Sequence, residues 1–101
     1  MNLTKTEIKA LQTSANDLFE YPKDWYFVFT IVKDSQIGNH NHLSIYENQS
    51  AVMASFDSSC KNNPQYDNVK ICYGKFTENG FLLSKISVSK IADHCYQEYQ
   101  F

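Results

Sequence analysis

The stretch WYFVFTIVK, residues 25 to 33, constrains the fold more than any other part of the sequence. Aromatic and β-branched residues of this kind favour a β-strand, in which successive side chains point to opposite faces. Alternation places Phe27 and Ile31 on one face and Val28 and Val32 on the other, so both faces are apolar. A strand with two apolar faces needs cover on both sides. We therefore predict an interior strand of a sheet that carries other elements on each face.

The first helix has a complete start signal in the sequence. Thr4 and Glu7 match a capping box, and Leu3 and Ile8 stand where a hydrophobic staple would lie. Apolar residues then recur three and four positions apart, which gives one apolar stripe along the helix. We predict that the helix ends near Phe19, shortly before a proline, and that it packs on the sheet.

A second helix is predicted between Asn48 and Cys60. Val52, Phe56 and Cys60 stand four positions apart, which is the spacing of one helix face. Asn48 or Ser50 can cap the first turn, because the side chains of both residue types accept hydrogen bonds from backbone amides.

A β-hairpin is predicted in VKICYGKFTENGFLLSKISV, residues 69 to 88, because Asn79-Gly80 fits a two-residue type I′ turn. With that dipeptide as the loop, apolar residues meet each other across the two strands. The pairs expected on one face are Ile71 with Val88, Tyr73 with Ile86, and Thr77 with Leu82.

The last element is predicted to be a helix, because Ile91, Ala92, Cys95, Tyr96 and Tyr99 have helical spacing. The predicted order is α-β-β-α-β-β-α, with the helices packed on an antiparallel or mixed sheet. The fold class is therefore α+β. Residues 1–101 are expected to form a single globular domain, because this length suits one domain and no linker or repeat interrupts it.

The clearest group of chemistry-bearing residues is GNHNHL, residues 38 to 43. In a short strand, Leu43 and Ile45 would share the buried face, and His40 and His42 would share the opposite, polar face. Zinc needs at least a third protein ligand; His94, Asp34, Cys60 and Cys95 are available, but sequence spacing does not tell whether they converge on the histidines. A nearby carboxylate could instead orient one histidine for acid–base work. We predict exposed polar side chains here and no metal site.

Charge, glycine and cysteine content narrow the classes of function. The net charge is −2 and arginine is missing from the sequence, which disfavours sequence-specific nucleic-acid binding. Three glycines cannot build a glycine-rich phosphate loop, so no nucleotide cofactor is expected. The thiols of Cys60, Cys72 and Cys95 lack zinc-ligand spacing and are expected to be reduced and mostly buried. Without a signal-like or membrane-spanning apolar block, we predict a cytoplasmic protein that binds no membrane.

Acidic residues interleaved with aromatic residues indicate a protein-binding surface rather than an enzyme. Aromatic side chains anchor protein interfaces, and carboxylates on a weakly acidic protein attract basic partners. Trp25 is expected in the core, because large aromatic side chains are usually mostly buried. The residues predicted to contact a partner are Asp17, Glu20, Asp24, Tyr66, Glu98 and Tyr99.

In general character the chain resembles the small immunity proteins that bacteria make against toxins delivered between cells. It is similar to them in being compact, mildly acidic and rich in aromatic residues, although no motif is shared. The resemblance implies an inhibitor that binds a cognate toxin, often a basic nuclease, and it implies no site residues. Two alternatives stay open: a small metal- or acid–base-dependent enzyme that uses His40 and His42, and a homo-oligomer formed through a free sheet edge or the aromatic C-terminus.

Overall fold

Five strands form one antiparallel sheet, and a helix packs on each of its faces. The computed structural model describes residues 3–33, 36, 38–62, 68–88 and 91–101. The elements are α1 (Lys5–Asn16), β1 (Tyr26–Val32), β2 (His40–Tyr46), α2 (Gln49–Asn62), β3 (Val69–Phe76), β4 (Gly80–Val88) and β5 (Ile91–Gln100). The strand order β2-β1-β3-β4-β5 makes β2 and β5 the edges. The α+β class is confirmed, and both predicted strand pairs belong to the same sheet.

Helix α1 begins with the predicted capping box. The Thr4 amide donates to Glu7 Oε1 at 2.9 Å, and the Glu7 amide donates to Thr4 Oγ1 at 3.2 Å. The helix ends at Asn16, earlier than predicted, with Asp17 as its C-cap. The residues Asp17–Trp25 therefore form a link of irregular backbone between α1 and β1, which we call the connector.

Strand β1 is covered on both faces, as its sequence predicts, and the two faces bury separate cores. The core between α1 and the sheet contains Leu3, Leu11, Ala15, Phe27, Phe29, Ile31, Cys72, Phe76, Phe81, Leu83 and Ile86. The core between α2 and the sheet contains Val28, Val52, Phe56, Val69, Ile71 and Tyr73. We call these two sides of the sheet the α1 face and the α2 face.

Helix α2 forms where the sequence predicts it. The Asn48 side chain caps it, because Asn48 Oδ1 accepts a hydrogen bond from the Ala51 amide at 2.9 Å. Val52 and Phe56 are buried, and Cys60 is partly buried on the same face of the helix. The helix packs mainly on β1, β2 and β3, and its Cys60 also contacts Ser87 of β4.

The β3–β4 hairpin forms, but its register differs from the predicted one. The loop residues are Glu78 and Asn79, since the Thr77 amide donates to the Gly80 carbonyl at 3.0 Å. Gly80 lies in β4, where a side chain would collide with the Tyr99 carbonyl, so strand contact rather than a turn requires this glycine. The predicted pairs are wrong: Ile71 opposes Ser87, Tyr73 opposes Lys85, and Leu82 opposes Lys75.

A β-bulge at Ser84 reverses the alternation within β4. The register of β4 shifts between Leu83 and Lys85 against β5, and the register of β3 shifts beside Gly74. An extra residue of this kind leaves the next side chain on the same face as the previous one. As a result, Leu83 and Ile86 both enter the core on the α1 face, although three positions separate them.

The predicted C-terminal helix is wrong, because Ile91–Gln100 form strand β5. This strand pairs with β4 from Gly80 opposite Gln100 to Val88 opposite Ile91. Without β5, the amide and carbonyl groups on the outer edge of β4 would lack hydrogen-bond partners. Pairing with β5 along its length supplies these partners. This long-range pairing outweighs the helical spacing of the apolar residues, and the observed order is α-β-β-α-β-β-β.

Candidate protein-binding surface

The connector exposes three large hydrophobic side chains within one short segment. Phe19 is fully exposed, Leu18 is 38% exposed and Trp25 is 41% exposed. The prediction that Trp25 lies in the core is therefore wrong. Burial in the fold does not explain the position of Phe19, because its side chain stands outside both cores. Aromatic side chains held in water are characteristic of surfaces that bind other proteins.

Three of the predicted partner contacts are exposed carboxylates in the same connector: Asp17, Glu20 and Asp24. They follow the C-terminal end of α1, where the unpaired carbonyls of a helix already create negative potential. The last turn of α1 contains no basic residue that would offset this potential. The carboxylate of Asp17, the C-cap residue, therefore opposes the stability of the helix.

Tyr21 anchors the middle of the connector. Its hydroxyl donates to the Gly80 carbonyl at 2.7 Å. Burial raises the pKa of this hydroxyl, so it remains a hydrogen-bond donor at neutral pH. The ring makes edge contacts with Phe76 and Phe101 at centroid distances of 5.7 and 6.3 Å. The connector is therefore tied to the β3–β4 hairpin and to the residue that follows β5.

Backbone bonds fix the last part of the connector. The Asp24 amide donates to the Phe76 carbonyl, and the Phe76 amide donates to the Trp25 carbonyl, each at 2.9 Å. Asp24 has a φ of 70°, in the left-handed region that aspartate tolerates better than most residues. This turn presents Trp25 at the end of the sheet instead of directing it into the core.

Two open clefts of about 370 Å³ each lie on either side of Tyr21. The cleft towards β2 is lined by Glu20, Tyr21, Pro22, Lys23, Trp25 and Ile45. The cleft towards β5 is lined by Gln12, Asn16, Tyr21, Glu78, Asn79 and Phe101. The connector thus crosses one end of the sheet, from the β2 side to the β5 side, with an open cleft on each side of Tyr21.

The two predicted contacts in β5 lie on opposite faces of the sheet. Tyr99 stacks on Phe81 at a centroid distance of 4.9 Å and packs against the core on the α1 face. Glu98 is opposite Leu82 and is exposed on the α2 face. The structure brings Tyr99 towards the connector through the aromatic cluster around Phe81, whereas Glu98 faces a different surface. The sixth predicted contact, Tyr66, lies outside the described residues.

The predicted face assignment of the histidines is confirmed. His40 and His42 are exposed on the edge strand β2, while Leu43 and Ile45 pack against the core on the α1 face. His42 Nε2 lies 3.1 Å from Ser44 Oγ, a neighbour on the same polar face. Within the described part of the chain, no three His, Cys, Asp or Glu side chains come together in a group that could hold a metal ion.

The buried ionisable groups belong to the core rather than to the surface. Lys70 Nζ lies 2.7 Å from Glu7 Oε1. Burial alone raises the pKa of Glu7, but the hydrogen bonds from Lys70 and the Thr4 amide outweigh it and hold this pKa below the usual range. Cys72 is fully buried, as predicted, and burial raises the pKa of its thiol to about 12. The side chain of Cys95 lies outside the described part of the structure.

No protein-family model, curated protein or solved structure matches this chain. Neither helix in the described residues has the length and apolar character needed to cross a membrane. The surface chemistry of the connector is therefore the observation from which function is inferred.

Proposed function

We propose that this protein is an immunity-type inhibitor that binds a cognate basic toxin and blocks it. The connector carries the proposal, because it combines exposed Phe19 and Trp25 with the carboxylates of Asp17, Glu20 and Asp24. In protein interfaces, a few aromatic anchors supply most of the affinity. Complementary charges at the rim speed the encounter and select the partner. The connector contains both kinds of group in one exposed segment.

A basic nuclease suits this surface on physical grounds. A nuclease must present a cationic surface to hold the phosphates of its substrate. Asp17 stands at the negative end of α1, and Glu20 and Asp24 are exposed in the same connector, so these carboxylates can oppose such a surface. Phe19 and Trp25 would then enter apolar pockets of the toxin and keep the carboxylates in place. An inhibitor that blocks a toxin by covering its surface needs no catalytic residues of its own.

The test begins with the protein encoded immediately upstream of this gene. Its C-terminal domain should be toxic when expressed alone, and co-expression with this protein should restore growth. The two purified proteins should form a stoichiometric complex that lacks the activity of the toxin. An upstream product that is harmless, or a toxic one that neither binds nor is neutralised, would contradict the proposal.

Phe19→Ala tests whether the connector is the contact surface. Because Phe19 is fully exposed, its truncation should leave the melting temperature unchanged. Loss of a central aromatic anchor should weaken toxin binding by about thirtyfold. The matched control is Met53→Ala, which removes another exposed hydrophobic side chain from α2. Binding that tolerates Phe19→Ala but not Met53→Ala would move the contact surface to α2.

A further inference from the structure

We propose that the outer edge of β5 pairs with a β-strand of a basic partner protein, so that the partner extends the sheet. The inference rests on the proposed function only in taking the partner to be a basic protein. The proposal adds a second contact surface to the protein. This surface binds through backbone groups of β5, whereas the connector binds through side chains.

Strand β5 lacks two of the usual protections of a sheet edge, although a register shift interrupts its pairing with β4 between His94 and Gln97. It is ten residues long and lies at the end of the strand order, next to β4 alone in the described sheet. Natural edge strands avoid unwanted pairing through lysine, proline or a short length. The sequence of β5, IADHCYQEYQ, has neither residue type. From Gln97 to Gln100 its pairing with β4 is regular, which leaves a straight outer edge.

The hydrogen bond of Phe101 shows which backbone groups face outward. The Phe101 amide donates to the Asn79 carbonyl at 2.9 Å, so it points towards the hairpin. In an antiparallel ladder, alternate residues direct their amide and carbonyl groups to the same neighbour. Tyr99 and Gln97 therefore face β4, whereas Glu98 and Gln100 direct their backbone groups away from it. These outward groups are the ones that a partner strand would bind.

The side chain of Glu98 indicates the charge of that strand. It ends a row that crosses the whole sheet on the α2 face and consists of Tyr46, Tyr26, Lys75, Leu82 and Glu98. Lys75 Nζ lies 5.5 Å from the centroid of the Tyr26 ring. The cation of this row is therefore already engaged in a cation–π contact with its neighbour Tyr26. An added strand would place its residue about 5 Å from Glu98, where lysine or arginine is favoured.

Charge favours a basic partner strand over a second copy of this chain. A second copy would bring the same carboxylate-bearing β5 to the edge and carries a net charge of −2. The edge also continues into the connector surface, because Phe101 contacts the ring of Tyr21. A partner that covers the cleft beside Phe101 can therefore reach β5 without a gap.

A capped nonapeptide of alternating lysine and threonine serves as the probe. Amide hydrogen exchange is followed by NMR in the presence of saturating peptide. Exchange should slow by about tenfold or more at Glu98 and Gln100 and should stay unchanged at Gln97 and Tyr99, whose amides already face β4. A matched peptide with glutamate in place of lysine should have no effect. Protection at His40–Tyr46 instead, or no alternating protection anywhere, would overturn the proposal.

Glu98→Pro removes one outward amide and should block an added strand. Proline is tolerated at an edge where the amide faces outward, so we expect the fold to survive and peptide binding to weaken by about tenfold or more. Glu98→Gln keeps the amide and should weaken peptide binding only about two- to fivefold. Unchanged peptide binding by Glu98→Pro would contradict strand addition. If this variant unfolds, the exchange pattern of the wild type still decides the question.

The same variants separate this proposal from the proposed function. Phe19→Ala should lose toxin affinity and keep its affinity for the peptide, because Phe19 lies outside β5. If the toxin binds through Phe19 but no peptide pairs with β5, the edge proposal fails and the inhibitor role stands. If concentrated wild-type protein shows the alternating protection without peptide, the occupant is a second copy, and the basic-partner proposal is wrong.

Discussion

The α1 face of the sheet is packed from one edge to the other, whereas the α2 face is packed over only part of its width. On the α1 face, Leu43 and Ile45 of β2 and Tyr99 of β5 pack against one continuous core. On the α2 face, the buried hydrophobic strand residues come from β1 and β3, and β4 adds the buried Ser87. The difference indicates that the α1 face supplies most of the stability.

The bulge at Ser84 helps to create this difference. It directs both Leu83 and Ile86 to the α1 face, so β4 contributes two buried aliphatic side chains there. On the α2 face, the same strand presents Leu82, which is 38% exposed. The hydrophobic side chains of β4 are therefore buried mainly in the α1 core, and on its other side Ser87 is buried while Leu82 is partly exposed.

The largest expected effect compares one phenylalanine from each core. Phe81 contacts the rings of Phe27, Tyr99 and Phe101, whereas the ring contact of Phe56 is with Tyr73. We expect Phe81→Ala to lower the free energy of unfolding by about 4 to 5 kcal/mol and Phe56→Ala by about 3 kcal/mol. Urea denaturation followed by circular dichroism measures both. Equal losses would show that the two faces contribute equally.

The next effect concerns the ion pair on the α1 face. Glu7→Gln should cost about 1.5 to 3 kcal/mol at pH 7, the contribution typical of a charged hydrogen bond. The pKa of Glu7 is lowered in the folded state, so the unfolded chain takes up the proton at higher pH. Wild-type stability should therefore fall as the pH drops below about 5, and the slope should be smaller in Glu7→Gln. Identical slopes would mean that other carboxylates dominate acid unfolding.

A smaller effect compares the two helix caps. Thr4→Ala breaks the reciprocal capping box of α1, whereas Asn48→Ala removes a single bond to the Ala51 amide. We expect losses of about 1 to 2 kcal/mol for Thr4→Ala and about 1 kcal/mol or less for Asn48→Ala. Thermal unfolding curves of both variants provide the comparison. A larger loss for Asn48→Ala would place more of the stability in α2 than the packing indicates.

The smallest effect has the opposite sign and involves the connector. Asp17→Lys places a cation at the C-terminal end of α1, where it should stabilise the protein by about 0.3 to 1 kcal/mol. The same substitution should slow association with a basic toxin, because it removes an attractive charge. Thermal unfolding and association kinetics measure the two effects. A variant that gains stability without slower association would show that Asp17 lies outside the interface.

The parts of the fold that local sequence determines could be predicted. The capping box of Thr4 and Glu7 needs only four residues, and the two-sided burial of β1 follows from its own alternation. The polar face of His40 and His42 also follows from alternation within one strand. Of the candidate site, the exposure of Asp17, Glu20 and Asp24 follows from their clustering after the apolar stripe of the first helix.

The errors arose where distant segments decide the structure. Gly80 fits a type I′ turn locally, but contact with the Tyr99 carbonyl places it in β4. Residues 91 to 100 have helical spacing, yet the open edge of β4 makes them a strand. Trp25 resembles the start of a buried strand, but the left-handed turn at Asp24 holds it at the surface. The exposure of Phe19 had no sequence signal, because an earlier helix end decides it.

The exposure of Trp25 determines what optical spectroscopy can detect. It is the single tryptophan of the sequence, and it stands at the end of the sheet instead of in either core. Its fluorescence therefore reports on the surroundings of the connector. A partner that covers the connector would shift the emission to shorter wavelength, so an unmodified sample carries an intrinsic reporter of docking.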